Sequence, residues 1–239
     1  NQPLAAIVNY LNGSLRLVGQ AGGPGQVESA LQAAAGGSLG AHIGVHKRVP
    51  AQAGMGGGSS DAATALLALN RLWGLNLPRT QLETIGLQLG ADVPFFLRGR
   101  NAWVEGIGDI IRPLELEQEL PRSRFAVVKP KAGLDTKSIF SHQALKRDSA
   151  CATISGFAAA HYQFGKNDLQ PVAQALCPEI EQALQWLESK GLKSRMTGSG
   201  SEVFAPMPHA VDLQDAPSAW QVRSCENLAI HPLEGWAAD

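Results

Sequence analysis

Between positions 54 and 60 the chain places four glycines and two serines in seven residues: Gly54, Met55, Gly56, Gly57, Gly58, Ser59 and Ser60. The helix-forming run Asp61-Ala-Ala-Thr-Ala-Leu-Leu-Ala-Leu-Asn70 comes directly after it. At a helix start the backbone N–H groups lack intrahelical acceptors, and the helix dipole adds partial positive charge. Such a junction receives anions, phosphate above all. Glycine lets a ligand approach the backbone closely. The hydroxyls of Ser59 and Ser60 add donors for phosphate, or ligands for a magnesium ion. The loop is not a P-loop, because Gly58 and not a lysine precedes Ser59. Its glycine spacing also differs from the dinucleotide-binding fingerprint. A flexible linker is the plain alternative, but a β-type run at 43–45 and an apolar helix frame the segment too tightly for one.

The 239 residues suffice for one large or two ordinary domains. A net charge of −1 with 44% hydrophobic residues suits a soluble globular chain. It gives no reason to expect nucleic acid or a membrane as partner. The apolar runs are too short and too broken by glycine to span a bilayer. No basic segment leads into an apolar core as in a signal peptide, so a cytoplasmic protein is expected. Cys151, Cys177 and Cys225 are scattered without metal-ligand spacing and read as reduced thiols.

Apolar residues at Leu4, Ile7, Val8, Leu11, Leu15 and Val18 predict an amphipathic helix over 1–18. A glycine-rich break at 19–25 precedes a second helix at 27–35. A strand at 41–49 leads into the loop, and helices are expected at 61–73 and 78–89. Residues 101–105 and 109–114 suit a hairpin turning through Gly106 and Gly108. The polar stretch 115–124 marks a domain boundary. Beyond it come a buried strand at 125–129, helices at 136–145 and 177–190, a helical stretch opened by Lys166-Asn-Asp-Leu169, and a strand at 202–205. Helices and strands that do not alternate regularly indicate an α+β fold.

Two further places carry candidate chemistry. Asp92 lies in Leu-Gly-Ala-Asp-Val-Pro-Phe-Phe, between the helix-ending Gly90 and the stiffening Pro94. A carboxylate held there among apolar neighbours can accept a proton from a hydroxyl that attacks a phosphate; a turn or cap aspartate is the bland reading. Thr197, Gly198, Ser199 and Gly200 form a second small-residue loop, able to supplement an anion site. Lys129 and Lys131 flank Pro130 and read as solvated surface lysines.

The run Pro50…Gly54-Met-Gly…Ser59-Ser60…Ala62 resembles, in register, the second motif of the GHMP kinases. The phrases GMGGGSSDAA, LGADVPFF, EGIGD, KNDL and MTGSGSEVFA occur in that order. They are similar to the branch whose acceptor alcohol is carried on a cytidine diphosphate. The resemblance implies a two-domain α+β fold: an N-terminal ATP-binding domain at 27–115 and a C-terminal substrate-side domain at 116–239, with 1–26 atypical. It implies transfer of the γ-phosphoryl of ATP, with Mg2+, to a small-molecule alcohol. Gly54, Met55, Gly56, Gly57, Gly58, Ser59 and Ser60 would cradle the phosphates, Asp92 would be the base, and Thr197, Gly198, Ser199 and Gly200 would close the site. Thr136, Asn167 and Asp168 fall where the family has substrate-side or structural residues. A different alcohol substrate, or a nucleotide-binding protein without turnover, are the alternatives. Nothing in these motifs encodes the oligomeric state, and a homodimer is one arrangement they allow.

The chain departs from the family at its start. The related kinases open with a Pro-x-Lys-x-Asn-Leu strand whose lysine pairs with the catalytic aspartate, and none precedes Pro50. Asn-Gln-Pro-Leu at the N-terminus instead resembles the segment after the phospho-accepting histidine of sensor histidine kinases. The expectation is an N-terminal domain whose first strands are missing or replaced by a helix, with an exposed sheet edge and weak phosphoryl transfer.

Overall fold

A computed structural model describes residues 5–10, 13–18, 26–36, 39–47, 49, 54–114, 120–150 and 152–239. The chain divides into two compact units. The first takes Asn1–Pro50, Gly56–Glu119 and Ala229–Asp239; the second takes Ala51–Met55 and Leu120–Leu228.

The first unit opens with strands β1 (Ala5–Tyr10) and β2 (Gly13–Val18). They pair antiparallel and continue onto β3 (His42–Lys47), giving the sheet order β1-β2-β3. The expected helix over 1–18 is corrected at the described residues 5–10 and 13–18, which are strands; the rest of it lies outside the described residues. Ser14-Leu-Arg-Leu alternates with period two. Tyr10 pairs with Gly13, and β3 supplies the neighbour that makes strands the better use of this sequence. Asn1, Gln2, Pro3 and Leu4, which carry the sensor-kinase likeness, lie outside the described residues.

Helix α1 (Gln26–Ala35) and helix α2 (Gly57–Leu72) stand on either side of β3 in the chain. Every side chain of α2 from Ala63 to Asn70 is buried, so α2 is enclosed by the unit and not laid on its surface. Helix α3 (Arg79–Leu89) and the short helix α4 (Val93–Arg98) pack beside it. Strands β4 (Ala102–Glu105) and β5 (Ile110–Pro113) make the expected hairpin. The core gathers Leu31, Leu66, Leu69, Leu82, Leu97 and Leu233.

The tail of the first unit is held by Arg79, only 8% exposed. Its guanidinium donates to the carbonyls of Leu97 (2.6 Å), Glu234 (2.7 Å) and Ala237 (3.0 Å), and to the Asp239 carboxylate at 2.7 Å. Its own backbone N–H donates to the Ala238 carbonyl at 2.7 Å. Nothing in the local pattern around position 79 announces this clamp.

The second unit is built on an antiparallel sheet of four strands. These are β6 (Arg124–Lys129), β7 (Arg195–Met196), β8 (Val203–Met207) and β9 (Gln221–Glu226), in the order β7-β8-β6-β9. Its helices are α5 (Thr136–Phe140), α6 (Ile154–Ala160), α7 (Gln170–Leu176) and α8 (Pro178–Ser189). Helix α8 buries Ile180, Ala183, Leu184 and Leu187, an i, i+3, i+4, i+7 stripe. That stripe packs in one core with Ala126, Val128, Val203 and Ala205 of the sheet. Helix α5 stops at Phe140, short of the expected 145, where Ser141 closes it onto the carbonyls of Lys137 and Ile139. Strand β9 has no apolar run to reveal it: its residues are largely exposed, and it exists because β6 offers a free edge.

Candidate active site

The second half of the glycine-rich loop is already helix. Helix α2 begins at Gly57, four residues before the expected start, so Gly57, Gly58, Ser59 and Ser60 form its first turn. Gly56 precedes it with φ 65° and ψ 17°, a left-handed conformation that costs a residue with a Cβ about 1–2 kcal/mol. A Cβ at Gly56 would also come within 2.8 Å of the Phe96 ring. The helix carries no side-chain cap. A phosphate is the group best suited to complete such a terminus.

Helix α4 sets the position of Asp92. Val93 and Leu97 press so closely on Gly86 of α3 that a Cβ there would lie 2.8 Å from Val93 Cγ1. Pro94 sits in the first turn of α4, where its missing N–H is no loss. It therefore starts a helix, where the sequence suggests a stiffened turn. Asp92 stands at the cap position of α4 but its carboxylate does not cap. It is exposed, not enclosed by apolar neighbours as expected, and accepts no hydrogen bond among the described residues. A Cβ on Gly90, two residues before it, would lie 3.8 Å from Ser59 Oγ, so the loop serine reaches the Gly90–Asp92 turn. The hydroxyl of Ser60, by contrast, is buried and has no partner among the described residues.

In the second unit the 197–200 loop closes around Gly54. Thr197 Oγ1 donates to the Gly54 carbonyl at 3.1 Å. Gly54 has φ 71°, and a Cβ there would fall 2.4 Å from the Thr197 carbonyl oxygen. Gly54→Ala is therefore expected to lower kcat/KM for ATP on the order of tenfold to a hundredfold, because a shift of about 1 Å in a positioning loop is enough for that. Steady-state kinetics on the variant measure it.

Asn167, Thr136 and Lys129 have little prominence in the sequence and more in the structure. Asn167 Nδ2 donates to the carbonyls of Met196 (3.1 Å) and Gly198 (2.7 Å), while its Oδ1 accepts the Leu169 N–H at 3.0 Å. The Thr136 and Ser199 hydroxyls are 2.9 Å apart. Lys129 is not a solvated surface lysine: it is 9% exposed, and its ammonium donates to Ser201 Oγ (2.7 Å), the Ala132 carbonyl (2.9 Å) and the Pro130 carbonyl (3.1 Å). Lys131 is exposed, as expected. Sequence could have hinted at Asn167 only through the Asn-Asp pair ahead of α7.

Glu202, 2% exposed, comes just after this loop, and its carbonyl accepts the Thr197 N–H at 3.0 Å. Burial pushes its carboxyl up to about 7, against the pull of Lys129 and Arg223. A carboxyl that binds its proton more tightly when folded stabilises the fold fully below its unfolded value near 4.5. That contribution is lost as pH rises through about 7. Glu202→Gln is thus expected to gain melting temperature over the parent increasingly between about pH 5 and pH 8. Paired thermal melts across that range check it, and a constant difference would contradict it.

Among the described residues no three His, Cys, Asp or Glu side chains gather to hold a metal, and no helix is long and apolar enough to cross a membrane. Cys177 and Cys225 are free; Cys151 lies outside the described residues.

Comparison with known proteins fits this geometry. Residues 24–100 match the GHMP kinases N terminal domain and residues 144–226 the GHMP kinases C terminal domain. A 4-diphosphocytidyl-2-C-methyl-D-erythritol kinase of Acidovorax sp. (strain JS42) is 74% identical over 207 residues, covering 87% of this chain and 73% of that protein. The protein of that name from Delftia acidovorans (strain DSM 14801 / SPH-1) is 64% identical over 210 residues, covering 88% and 73%. A crystal structure of a 4-(cytidine 5'-diphospho)-2C-methyl-D-erythritol kinase is 30% identical, with a TM-score of 0.65 over 85% of this chain and 79% of that one. GHMP kinases use ATP as phosphate donor. With both domains matched and relatives this similar along most of their length, the chain belongs to the GHMP kinase family.

Proposed function

We propose that the chain transfers the γ-phosphoryl group of ATP to the 2-hydroxyl of 4-diphosphocytidyl-2-C-methyl-D-erythritol, a step of non-mevalonate isoprenoid precursor synthesis in the cytoplasm. The observation that carries this is the 74% identity to a kinase of that name over 87% of the chain. Gly54, Met55, Gly56, Gly57, Gly58, Ser59 and Ser60 receive the phosphates, with the first turn of α2 as their anion terminus. Thr197, Gly198, Ser199 and Gly200 hold the start of that loop through Gly54. Asp92 takes the proton of the attacking hydroxyl. Its carboxylate suits the role because no hydrogen bond among the described residues occupies it.

Mg2+ is the metal expected with ATP. Ser59 fits it as a hydroxyl ligand, being partly exposed beside the Gly90–Asp92 turn; the hydroxyl of Ser60 is sealed from solvent and fits it less well. When bound, the ion neutralises charge on the phosphates. The protein's own share is positioning by the loop and acceptance of the proton.

The test is a coupled ADP-release assay with the cytidyl substrate, mevalonate and homoserine offered separately, and the product's phosphate position read by phosphorus NMR. Phosphorylation of the cytidyl substrate alone supports the reading. Turnover confined to another alcohol overturns the substrate, and ATP binding without turnover on any of the three overturns catalysis.

A further inference from the structure

The second unit contains a cavity of about 950 Å3 apart from the proposed phosphate loop. None of residues 54–60 or 197–200 lines it. Its volume lies within the roughly 300–1,000 Å3 of small-molecule sites. Its walls are of two kinds. Leu192, Pro171, Pro206, Met207 and Tyr162 contribute apolar lining. Arg124, Lys146, Lys166, Lys193 and Arg195 supply cations, with Asp168 as the one carboxylate of the wall.

Some of these cations are committed. Arg195 donates to the carbonyls of Tyr162 and Phe164, and Arg124 pairs with Glu226 at 3.1 Å. Lys166 pairs with Asp168 at 3.1 Å, and Lys146 stands 4.0 Å from Asp148. Five cations against Asp168, Asp148 and Glu226 still leave the wall net positive. Lys193 meets only the Gln163 amide oxygen, at 3.4 Å, among the described residues. Apolar lining together with surplus positive charge suits an organic anion with a planar or aliphatic body.

Two wall residues also hold the loop that embraces Gly54. Asn167 donates to the Met196 and Gly198 carbonyls, and Gln170 Oε1 accepts the Met196 N–H at 2.8 Å. We propose that this cavity binds an amphipathic organic anion, a small phosphate or sulfonate ester or acid with an apolar body, and that occupation shifts the 197–200 loop through Asn167 and Gln170. A loop hung from two cavity-wall amides is biased by whatever those amides contact.

The experiment uses the whole chain and 8-anilinonaphthalene-1-sulfonate, an aromatic sulfonate, as probe. Dye fluorescence is titrated for the parent, for the double variant Lys146→Glu/Lys193→Glu, and for Arg112→Glu, a charge reversal in the first unit. The double variant is expected to weaken dye binding about tenfold, with Arg112→Glu unchanged. A molten double variant would bind more dye, and circular dichroism with a thermal melt confirms that the double variant is not unfolded, since an unfolded chain would bind less. Equal affinity in all three proteins, or no saturable binding to the parent, overturns the site. Hydrogen exchange of the peptide spanning 196–201 then reads the coupling. Altered protection at dye saturation is expected, and unaltered protection overturns the link through Asn167 and Gln170. Neither readout depends on turnover, so failure here is separable from failure of the kinase reading.

Discussion

Asp92→Asn is expected to lower kcat by about 10²–10⁴ while leaving the melting temperature nearly unchanged. The two halves of this result have separate physical grounds. Asp92 is exposed and gives no side-chain cap to α4, so asparagine removes no hydrogen bond of the described fold. A charge at a short helix start contributes roughly 0.3–1 kcal/mol at most. Asparagine keeps the shape of the side chain and can still orient a hydroxyl, but it cannot take the proton. Loss of a base that acts only in the transition state reduces kcat and kcat/KM together and leaves ATP binding intact. Parallel steady-state kinetics, nucleotide titration and thermal melts on parent and variant decide the matter. A kcat within about threefold of the parent would strip Asp92 of the role, since that is far below what a general base supplies.

Arg79→Ala is expected to destabilise the first unit by about 3–5 kcal/mol, the range seen when one partner of a buried charged network is removed. The ion pair to Asp239 accounts for little of this, because that carboxylate is 93% exposed. The main loss is at the carbonyls of Leu97, which is buried, and of Glu234 and Ala237, which are part-buried; all three forfeit a charged donor. Those three groups lie at the end of α4 and in the returning tail 229–239, so the guanidinium ties the tail to the helix that positions Asp92. Thermal denaturation should show a fall on the order of 10 °C, with earlier removal of the tail by carboxypeptidase. Arg79→Lys should recover only part of it, because an ammonium lacks the planar fork that serves three carbonyls and a carboxylate. A melting temperature within about 2 °C of the parent would show that the tail holds without the clamp.

The sequence is most legible where an element declares itself over several turns. The apolar stripe of α8, the buried run of β6 and the hairpin around Gly106 and Gly108 all stand where periodicity and turn residues put them. It misleads where two periods compete. Residues 1–18 carry apolar groups at helical spacing and also a period-two stretch at 14–17. Propensity alone does not choose between these; pairing with β3 does. The start of α2 is a related case. Glycine disfavours helix interiors, yet a first turn of Gly-Gly-Ser-Ser is held by the buried apolar turns from Ala63 onward and by Phe96 against Gly56.

The candidate site divides along the same line. The types and order of its residues are legible in the chain alone: glycines and serines before a helix, an aspartate before a proline, and a second Thr-Gly-Ser-Gly loop. Each is a local device written in consecutive positions. Which distant groups support them is not legible. Asn167 under the 197–200 loop, Lys129 pinned to Ser201 and Arg79 in the tail are contacts between residues far apart in sequence. Local spacing carries no mark of them, since a buried lysine or arginine reads like a surface one until the carbonyls that receive it are brought together. Sequence by itself therefore determined the kind of chemistry and the loop proposed to receive phosphate. Only tertiary structure decided that the loop is half helix, that residues 5–10 and 13–18 are strands and not a helix, and which buried polar groups hold the candidate site in place. Those depend on satisfying backbone donors and acceptors that only folding brings together.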